Sequence, residues 1–270
     1  MNEDNVLAEI GKEFARQSYK DIGEHIVKPT AKVVGTIPDV INRLLVPVHQ
    51  WIEEGKYNLE KTKKILAIKL ENIKQENLVS PDSYIAVPAL QYISYCMDNE
   101  ELRDMYANLL ASSMNKVVKN GVHPSFVEII KQLSPDEAKI LREIQKVPLY
   151  PLIHLQYVRP DNKGESEVLS NFSDIGYKIG CEYPEWIAQY LNNMERLGLI
   201  QISKGSFLIN KELYEPLKTH PFIVPYLNQG RIILKGYSTY KFTERYYGIS
   251  DFGKSFCKIC IGDIPSKIRN

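Results

Sequence analysis

The stretch MDNEELRDMYANLLASSM, residues 97–114, predicts a central helix of the fold. Asp98 is followed three residues later by Glu101, the spacing of a capping box that begins an α-helix. From Leu102 onward, at about 100° per residue, large apolar side chains occupy one arc and small side chains lie nearly opposite. Because small side chains let a neighbouring helix come close, the sequence predicts a helix enclosed on two sides within a helical bundle.

The segments around this stretch extend the predicted bundle over residues 1–130. Residues 1–28 suggest an amphipathic helix, and residues 29–55 are broken by prolines into short helical pieces. Residues 56–78 place apolar side chains at helical spacing, and residues 80–99 form a nearly continuous apolar run. A last helix is predicted to begin at His123 and to bury Phe126, Ile129, Ile130 and Leu133.

A second module begins at Ser134, which forms a capping box with Glu137. The predicted order is helix, strand, helix, helix, strand, spacer, strand, turn, strand, helix. NMERLGLIQIS (193–203) and YYGISDFGKSFCKIC (246–260) resemble the end of the recognition helix and the closing segment of a winged helix, although residues 209–230 are an insertion. The predicted fold is therefore mainly α, α+β overall. It comprises the bundle, a winged-helix-like domain with a small antiparallel sheet over residues 131–264, and a tail over residues 265–270.

A family resemblance is carried by VPALQYISYCMDNEELRDMYANLLASSM (87–114) and VHPSFVEIIKQLSPDEAKIL (122–141). These segments resemble the abortive-infection alpha family, a bacterial family associated with phage resistance. The resemblance covers about residues 31–141, with a weaker match near the C-terminus. It implies a role in defence against bacteriophage through arrest of the infected cell, and it supplies no catalytic residue or reaction.

Composition narrows the classes of function. Thirty-four basic and 33 acidic residues leave a formal charge of +1, so the whole molecule has no excess field for a polyanion. The acidic N-terminus MNEDN lacks the features of a signal peptide, and four cysteines are few, so we expect a reduced, cytoplasmic protein. The uncharged run 83–97 contains Pro88 and is shorter than the roughly 20 residues of a membrane span.

No catalytic or cofactor signature stands out in the sequence. The histidines fit no HExxH pattern, and neither phosphate-binding glycine loops nor a GxSxG elbow occur, so we predict no catalytic residue, cofactor or metal. Cys257 and Cys260 form a CxxC that could hold zinc with a second pair, or could pack in the core. Polar residues in the family-like segments are either structural or part of a polar site: Arg103, Asp104, Tyr106, Asn108 and His123.

Two segments of the second module are candidate contact surfaces. In a winged helix, residues 184–197 would enter the DNA major groove and present Gln189, Asn192, Asn193 and Arg196. Three glutamates, at positions 182, 185 and 195, would oppose the phosphates. The predicted wing interleaves cations with aromatic rings, which suits nucleic acid and protein interfaces alike: Arg231, Lys235, Tyr237, Tyr240, Lys241 and Arg245.

These observations favour a non-enzymatic phage-defence factor whose winged-helix-like module senses or docks a protein partner or a second copy of the chain. The alternative hypothesis is a winged-helix regulator that binds nucleic acid. A membrane surface is a third partner class, because the apolar segment 33–48 lies beside a lysine-rich helix. No small-molecule substrate is indicated.

Overall fold

A computed structural model describes residues 59–71, 73–96, 98–159, 161, 164–227 and 239–262. The elements expected in residues 1–55, part of the predicted wing and the tail 265–270 lie outside these residues. The described residues form two compact units. One contains the residues up to Asp98 together with Tyr106–Val127, and the other contains Asn99–Met105 and the residues from Glu128 onward. The chain is a mixed α+β protein, which confirms the predicted class at that level.

Helices make up most of the described part of the first unit. Helix α1 spans Leu59–Leu70 and ends before Ile73, which the apolar spacing placed on the same helix; helix α2 spans Ser83–Tyr95, within the predicted apolar run. The buried side chains recur at helical intervals: Leu66 and Leu70 in α1, and Ile85, Ala89 and Ile93 in α2. Two backbone hydrogen bonds fasten the segment between α1 and α2 to the chain that follows the next helix, Val79 N to Met114 O at 2.9 Å and Lys116 N to Asn77 O at 2.8 Å.

Helix α3, Glu100–Ser113, is the predicted central helix. Every residue from Met105 to Asn115 is buried, which agrees with the expectation of a helix enclosed on two sides. The predicted cap was wrong by one position. Asn99 Oδ1 accepts the hydrogen bond of Leu102 N at 3.0 Å, so Asn99 takes the capping role assigned to Asp98.

Two further helices follow, the first beginning two residues after its predicted start at His123 and the second where the sequence predicts. Helix α4 spans Ser125–Lys131, and the apolar face expected for it is buried. Helix α5 spans Pro135–Ile144. Its capping box is confirmed, because Ser134 Oγ accepts from Glu137 N at 3.2 Å and Glu137 Oε2 accepts from Ser134 N at 2.6 Å.

A four-stranded antiparallel sheet follows in the second unit. Its strands are β1 (Tyr150–Val158), β2 (Glu165–Phe172), β3 (Ile200–Ile202) and β4 (Thr239–Ile249), in the order β2-β1-β4-β3. The β1–β2 hairpin was not predicted, because the sequence indicated a helix directly after β1. Strand β2 reads ESEVLSNF and is largely half-buried, so it lacks the apolar pattern that marks a strand.

Four further helices of the second unit lie entirely within the described residues. They are α6 (Ile175–Lys178), α7 (Ile187–Arg196), α8 (Glu215–Lys218) and α9 (Asp251–Cys260). Helix α7 follows a 3-10 turn at Pro184–Trp186, so the recognition-helix segment predicted at 184–197 is helical. Gly198 has φ +75°, a left-handed conformation that lets the chain turn from α7 into β3.

The start of α9 passes very close to the chain that leads into β3. Ser250 Oγ caps the helix by accepting from Gly253 N at 2.8 Å, and Ser250 N donates to Leu199 O at 3.0 Å. A Cβ atom on Gly253 would lie 1.9 Å from the same carbonyl oxygen. Only glycine therefore fits at this crossing.

Candidate partner-binding surface

Helix α7 presents the polar residues that the sequence analysis selected. Its inward face buries Ile187, Tyr190, Leu191 and Met194. Gln189, Asn192 and Arg196 are exposed and Asn193 is half-buried, so all four lie away from that face. The hydrogen bonds of these polar side chains decide what they are free to contact.

Asn193 and Arg196 are held within the protein. Asn193 Nδ2 donates to Glu137 Oε1 at 2.8 Å and to Gln132 O at 3.0 Å. Arg196 donates to Asn193 Oδ1 at 2.6 Å and to Gln132 Oε1 at 3.0 Å. These bonds tie α7 to the start of α5 and occupy the groups that were expected to read base edges.

Asn192 is also engaged, through β2. Asn171 Nδ2 donates to Asn192 Oδ1 at 2.8 Å, and Asn171 itself has φ +49°. Asparagine tolerates this left-handed conformation better than most residues. The α7 face that remains exposed thus centres on Gln189 and on the residues at the N-terminal end of the helix.

Asp136 holds the segment of chain that precedes α7. Its Oδ1 accepts from Glu182 N at 2.9 Å, and its Oδ2 accepts from Tyr183 N and from the Tyr190 hydroxyl, both at 3.0 Å. Burial opposes ionisation of this carboxyl group. The hydrogen bonds and nearby Lys139 outweigh burial and hold the pKa of Asp136 below its ordinary value. We refer to these contacts as the Asp136 clamp.

The Asp136 clamp predicts a loss of stability in acid. A carboxyl group with a lowered pKa in the folded state stabilises the fold above its unfolded pKa of about 3.9, and this contribution is lost as the pH falls through the lowered value. We expect Asp136→Asn to flatten the decline in the free energy of unfolding below about pH 4, measured by urea denaturation at a series of pH values. An unchanged decline would contradict this expectation.

The pKa of Glu137 is shifted in the opposite direction from that of Asp136. Burial raises the pKa of Glu137 and outweighs its hydrogen bonds from Ser134 and Asn193. Ionised Glu137 therefore opposes folding as the pH rises through the raised pKa. Glu137 is present in both the Asp136→Asn variant and the unmodified chain. The difference between the two pH profiles therefore reports on Asp136.

The described part of the wing carries balanced charge. Lys241 forms an ion pair with Glu165 of β2, and Tyr240 is exposed with its ring edge-on to Phe242 at 5.7 Å. Glu244 pairs with two lysines of the insertion, Lys211 and Lys218, the latter at 2.9 Å. Arg231, Lys235 and Tyr237 lie outside the described residues.

Arg245 belongs to a polar cluster on the sheet. This cluster was not predicted from the sequence. His154 Nδ1 lies 3.0 Å from Glu167 Oε2, and the Ser170 hydroxyl donates to the other carboxylate oxygen. The bond from Ser170 is the largest cause of the lowered pKa of Glu167. His154 and Arg245 also contribute, while burial opposes them. His154 Nε2 is buried, whereas the Glu167 side chain is partly exposed.

An exposed pair of aromatic rings was also not predicted from the sequence. Tyr183 is 45% exposed and Trp186 is 50% exposed, and their rings stack with centroids 5.2 Å apart. Both precede α7, in the sequence EYPEW. Exposed Glu182 and Glu185 flank these rings in the sequence. Pro184 and the Asp136 clamp hold this segment in place.

The polar residues of the family-like segments have contacts inside the protein. The buried Tyr106 hydroxyl donates to Val127 O at 3.3 Å. His123 Nδ1 accepts from Ser125 N at 3.1 Å and so caps the start of α4. Asn108 is buried, and Arg103 and Asp104 are half-buried on α3.

The buried thiols are poor ligands. Cys257 and Cys260 are buried in α9, where burial raises the pKa of Cys257 to about 12 and that of Cys260 well above its ordinary value. Among the residues that the structure describes, no group of three histidine, cysteine or acidic side chains is placed to hold a metal ion. Within the same residues, no helix has the length and apolar character needed to cross a bilayer.

Comparison with known proteins identifies the family. The model of the family described as "Abortive infection alpha" matches residues 54–260. The chain belongs to this family. The predicted resemblance is thereby confirmed, and the match extends well beyond the segments that suggested it.

Other comparisons add little. No curated protein matches the chain. One similar solved structure is that of an uncharacterized protein from the hydrocarbon-degrading marine bacterium Alcanivorax borkumensis SK2. It is 20% identical, with a TM-score of 0.36, and the match covers 50% of this chain and 90% of the other.

Proposed function

We propose that this chain is a non-enzymatic phage-defence factor of the abortive-infection type whose C-terminal module docks a protein partner. Family membership supports the defence role. The exposed aromatic pair and the balanced charges of the described module support a protein partner, because tyrosine, tryptophan and arginine are favoured at protein interfaces.

The order of elements supports a winged-helix-like module. Helix α5, strand β1, helices α6 and α7, strand β3, strand β4 and helix α9 follow one another, and β4 lies between β1 and β3 in the sheet. The strand that leaves α7 therefore pairs with the closing strand, as in a wing. Strand β2 and the insertion before β4 are additions to that arrangement.

The pairing of the two wing cations that the structure describes, Lys241 and Arg245, is the observation that carries the choice of partner. Nucleic-acid binding depends on lysine and arginine side chains that neutralise phosphates. Here Lys241 pairs with Glu165, Arg245 lies near Glu167, and the two lysines of the insertion share Glu244. A phosphate approaching these cations would also meet their carboxylates.

A plating assay tests the defence role. We expect a panel of phages to form fewer plaques on cells that carry the intact gene than on empty-vector cells. A gene truncated before Ser134, which lacks the docking module, is expected to plate like the empty vector. Equal plaque counts on intact-gene and empty-vector cells across the panel would overturn the proposed function.

A binding assay separates protein docking from nucleic-acid binding. We expect a labelled DNA duplex to bind more weakly than the Kd of about 10⁻⁴ to 10⁻⁶ M that is typical of non-specific DNA binders. The matched variant Glu165→Gln, which frees Lys241 from its carboxylate, should bind more tightly than the unmodified chain. Tight, steeply salt-dependent binding by the unmodified chain, lost in Lys241→Gln, would instead favour the nucleic-acid regulator.

A further inference from the structure

The stacked pair Tyr183 and Trp186 is a rigid, exposed aromatic surface. Two large rings that remain about half exposed leave apolar area in water, and such surface marks interaction sites when it is contiguous. In the Asp136 clamp, the backbone N–H groups of Glu182 and Tyr183 donate hydrogen bonds to the Asp136 carboxylate. A partner therefore meets rings that are already ordered, which lowers the entropic cost of binding.

The surroundings of this surface are negatively charged. A hydrogen bond to Glu182 and the charges of Glu182, Asp136 and Glu185 raise the pKa of Tyr183. Burial is the first cause of the raised pKa of Tyr177, and Glu185 is the second. Glu185 thus acts electrostatically on both Tyr183 and Tyr177.

Tyr177 leads into a second group of rings. Its ring centroid lies 4.5 Å from that of His220 and 6.2 Å from that of Phe222, and Phe222 lies 5.6 Å from Tyr226. All four rings are half-buried. A second group of partly exposed rings thus begins at Tyr177, whose pKa is raised in part by the charge of Glu185.

We propose that Tyr183, Trp186, Glu182 and Glu185 form a surface that binds an arginine or lysine side chain of the protein partner. The inference rests on the proposed function for the existence of that partner and specifies its chemistry. Ring faces attract cations, and the two carboxylates add attraction of the same sign. The two carboxylates would repel the phosphates of a stacked single strand, so a nucleic acid fits less well.

Fluorescence of Trp186 provides the test. The chain has two tryptophans, so Trp51→Phe leaves Trp186 as the single reporter. The full-length variant is titrated at low salt with a peptide of alternating arginine and glycine, with the matching glutamate–glycine peptide, and with oligo(dT). We expect saturable change of the Trp186 emission with the arginine peptide alone.

Matched substitutions locate the effect. Glu185→Gln removes one charge without changing size, and Tyr183→Ala removes the stacking ring. Each should weaken arginine-peptide binding by about 3- to 10-fold, since cation–π and nearby ionic contacts are individually modest. The control Glu212→Gln removes an exposed carboxylate on another element and should leave binding unchanged.

Three results would overturn the inference: equal response to both peptides, a response to oligo(dT) alone, or unchanged binding in Glu185→Gln. Plating keeps the two proposals distinct. If the intact gene protects cells while the arginine peptide fails to bind, the cation surface is wrong and the defence role stands. If the peptide binds as expected but the intact gene gives no protection, the proposed function fails and the surface stands.

Discussion

Replacing Asp136 by alanine is expected to lower the free energy of unfolding by about 3–5 kcal/mol. The substitution leaves Glu182 N, Tyr183 N and the buried Tyr190 hydroxyl without their shared acceptor. Buried donors that lose their partners cost more than the net value of the bonds themselves. Urea denaturation followed by Trp186 fluorescence in the Trp51→Phe background measures the change.

Asp251 provides the matched control for Asp136. Like Asp136, it is a carboxylate in the first turn of a helix, here α9. Unlike Asp136, it is exposed, and its carboxylate forms an ion pair with Lys254 at 2.8 Å. Asp251→Ala should leave the denaturation midpoint close to that of the unmodified chain. Equal destabilisation by both substitutions would show that the clamp contributes nothing beyond the charge at a helix start.

Gly253→Ala is expected to destabilise the second unit by about 3 kcal/mol or to prevent its folding. The added methyl group would overlap Leu199 O at 1.9 Å and would come within 2.9 Å of Ile249 Cγ2. The obstacle is backbone, so the start of α9 would have to move away from β3. The measurement is the midpoint of urea denaturation. If the variant cannot be purified, the measurement is the amount of soluble protein compared with the unmodified chain.

Gly205 controls for the intrinsic effect of the substitution. A Cβ atom at Gly205 meets nothing within 4 Å, and its φ lies outside the left-handed region. Gly205→Ala should therefore be neutral or slightly stabilising, because alanine restricts the unfolded chain more than glycine does. If Gly253→Ala were equally neutral, α9 could not approach Leu199 as closely as the structure shows.

The helices were the predictable part of the fold. Apolar spacing and capping residues are local signals, which is why α3, α5 and α7 could be placed from the sequence. The cap of α3 was misplaced because Asp98 and Asn99 are both good capping residues. Strand β2 was missed because its pairing with β1, and not an apolar pattern of its own, defines it.

The candidate surface was harder to predict than the helix that supports it. The sequence indicated α7, but Asn193 and Arg196 find their partners at Gln132 and Glu137, more than fifty positions away. Such partners cannot be deduced from spacing. The pair in EYPEW carried a local signal, two aromatic residues on either side of Pro-Glu, although only the structure shows that the rings stack.

The position of β4 constrains how the protein is made. Thr239 of β4 pairs with Val158 of β1, 81 positions earlier, and β4 separates β1 from β3 in the sheet. A ribosome delivers the chain from its N-terminus, so β1 and β3 emerge without the strand that joins them. The sheet thus stays unfinished until β4 has been synthesised, and pairing over such a separation is intrinsically slow. If the proposed partner docks on this sheet-containing unit, docking has to wait until β4 has joined β1 and β3.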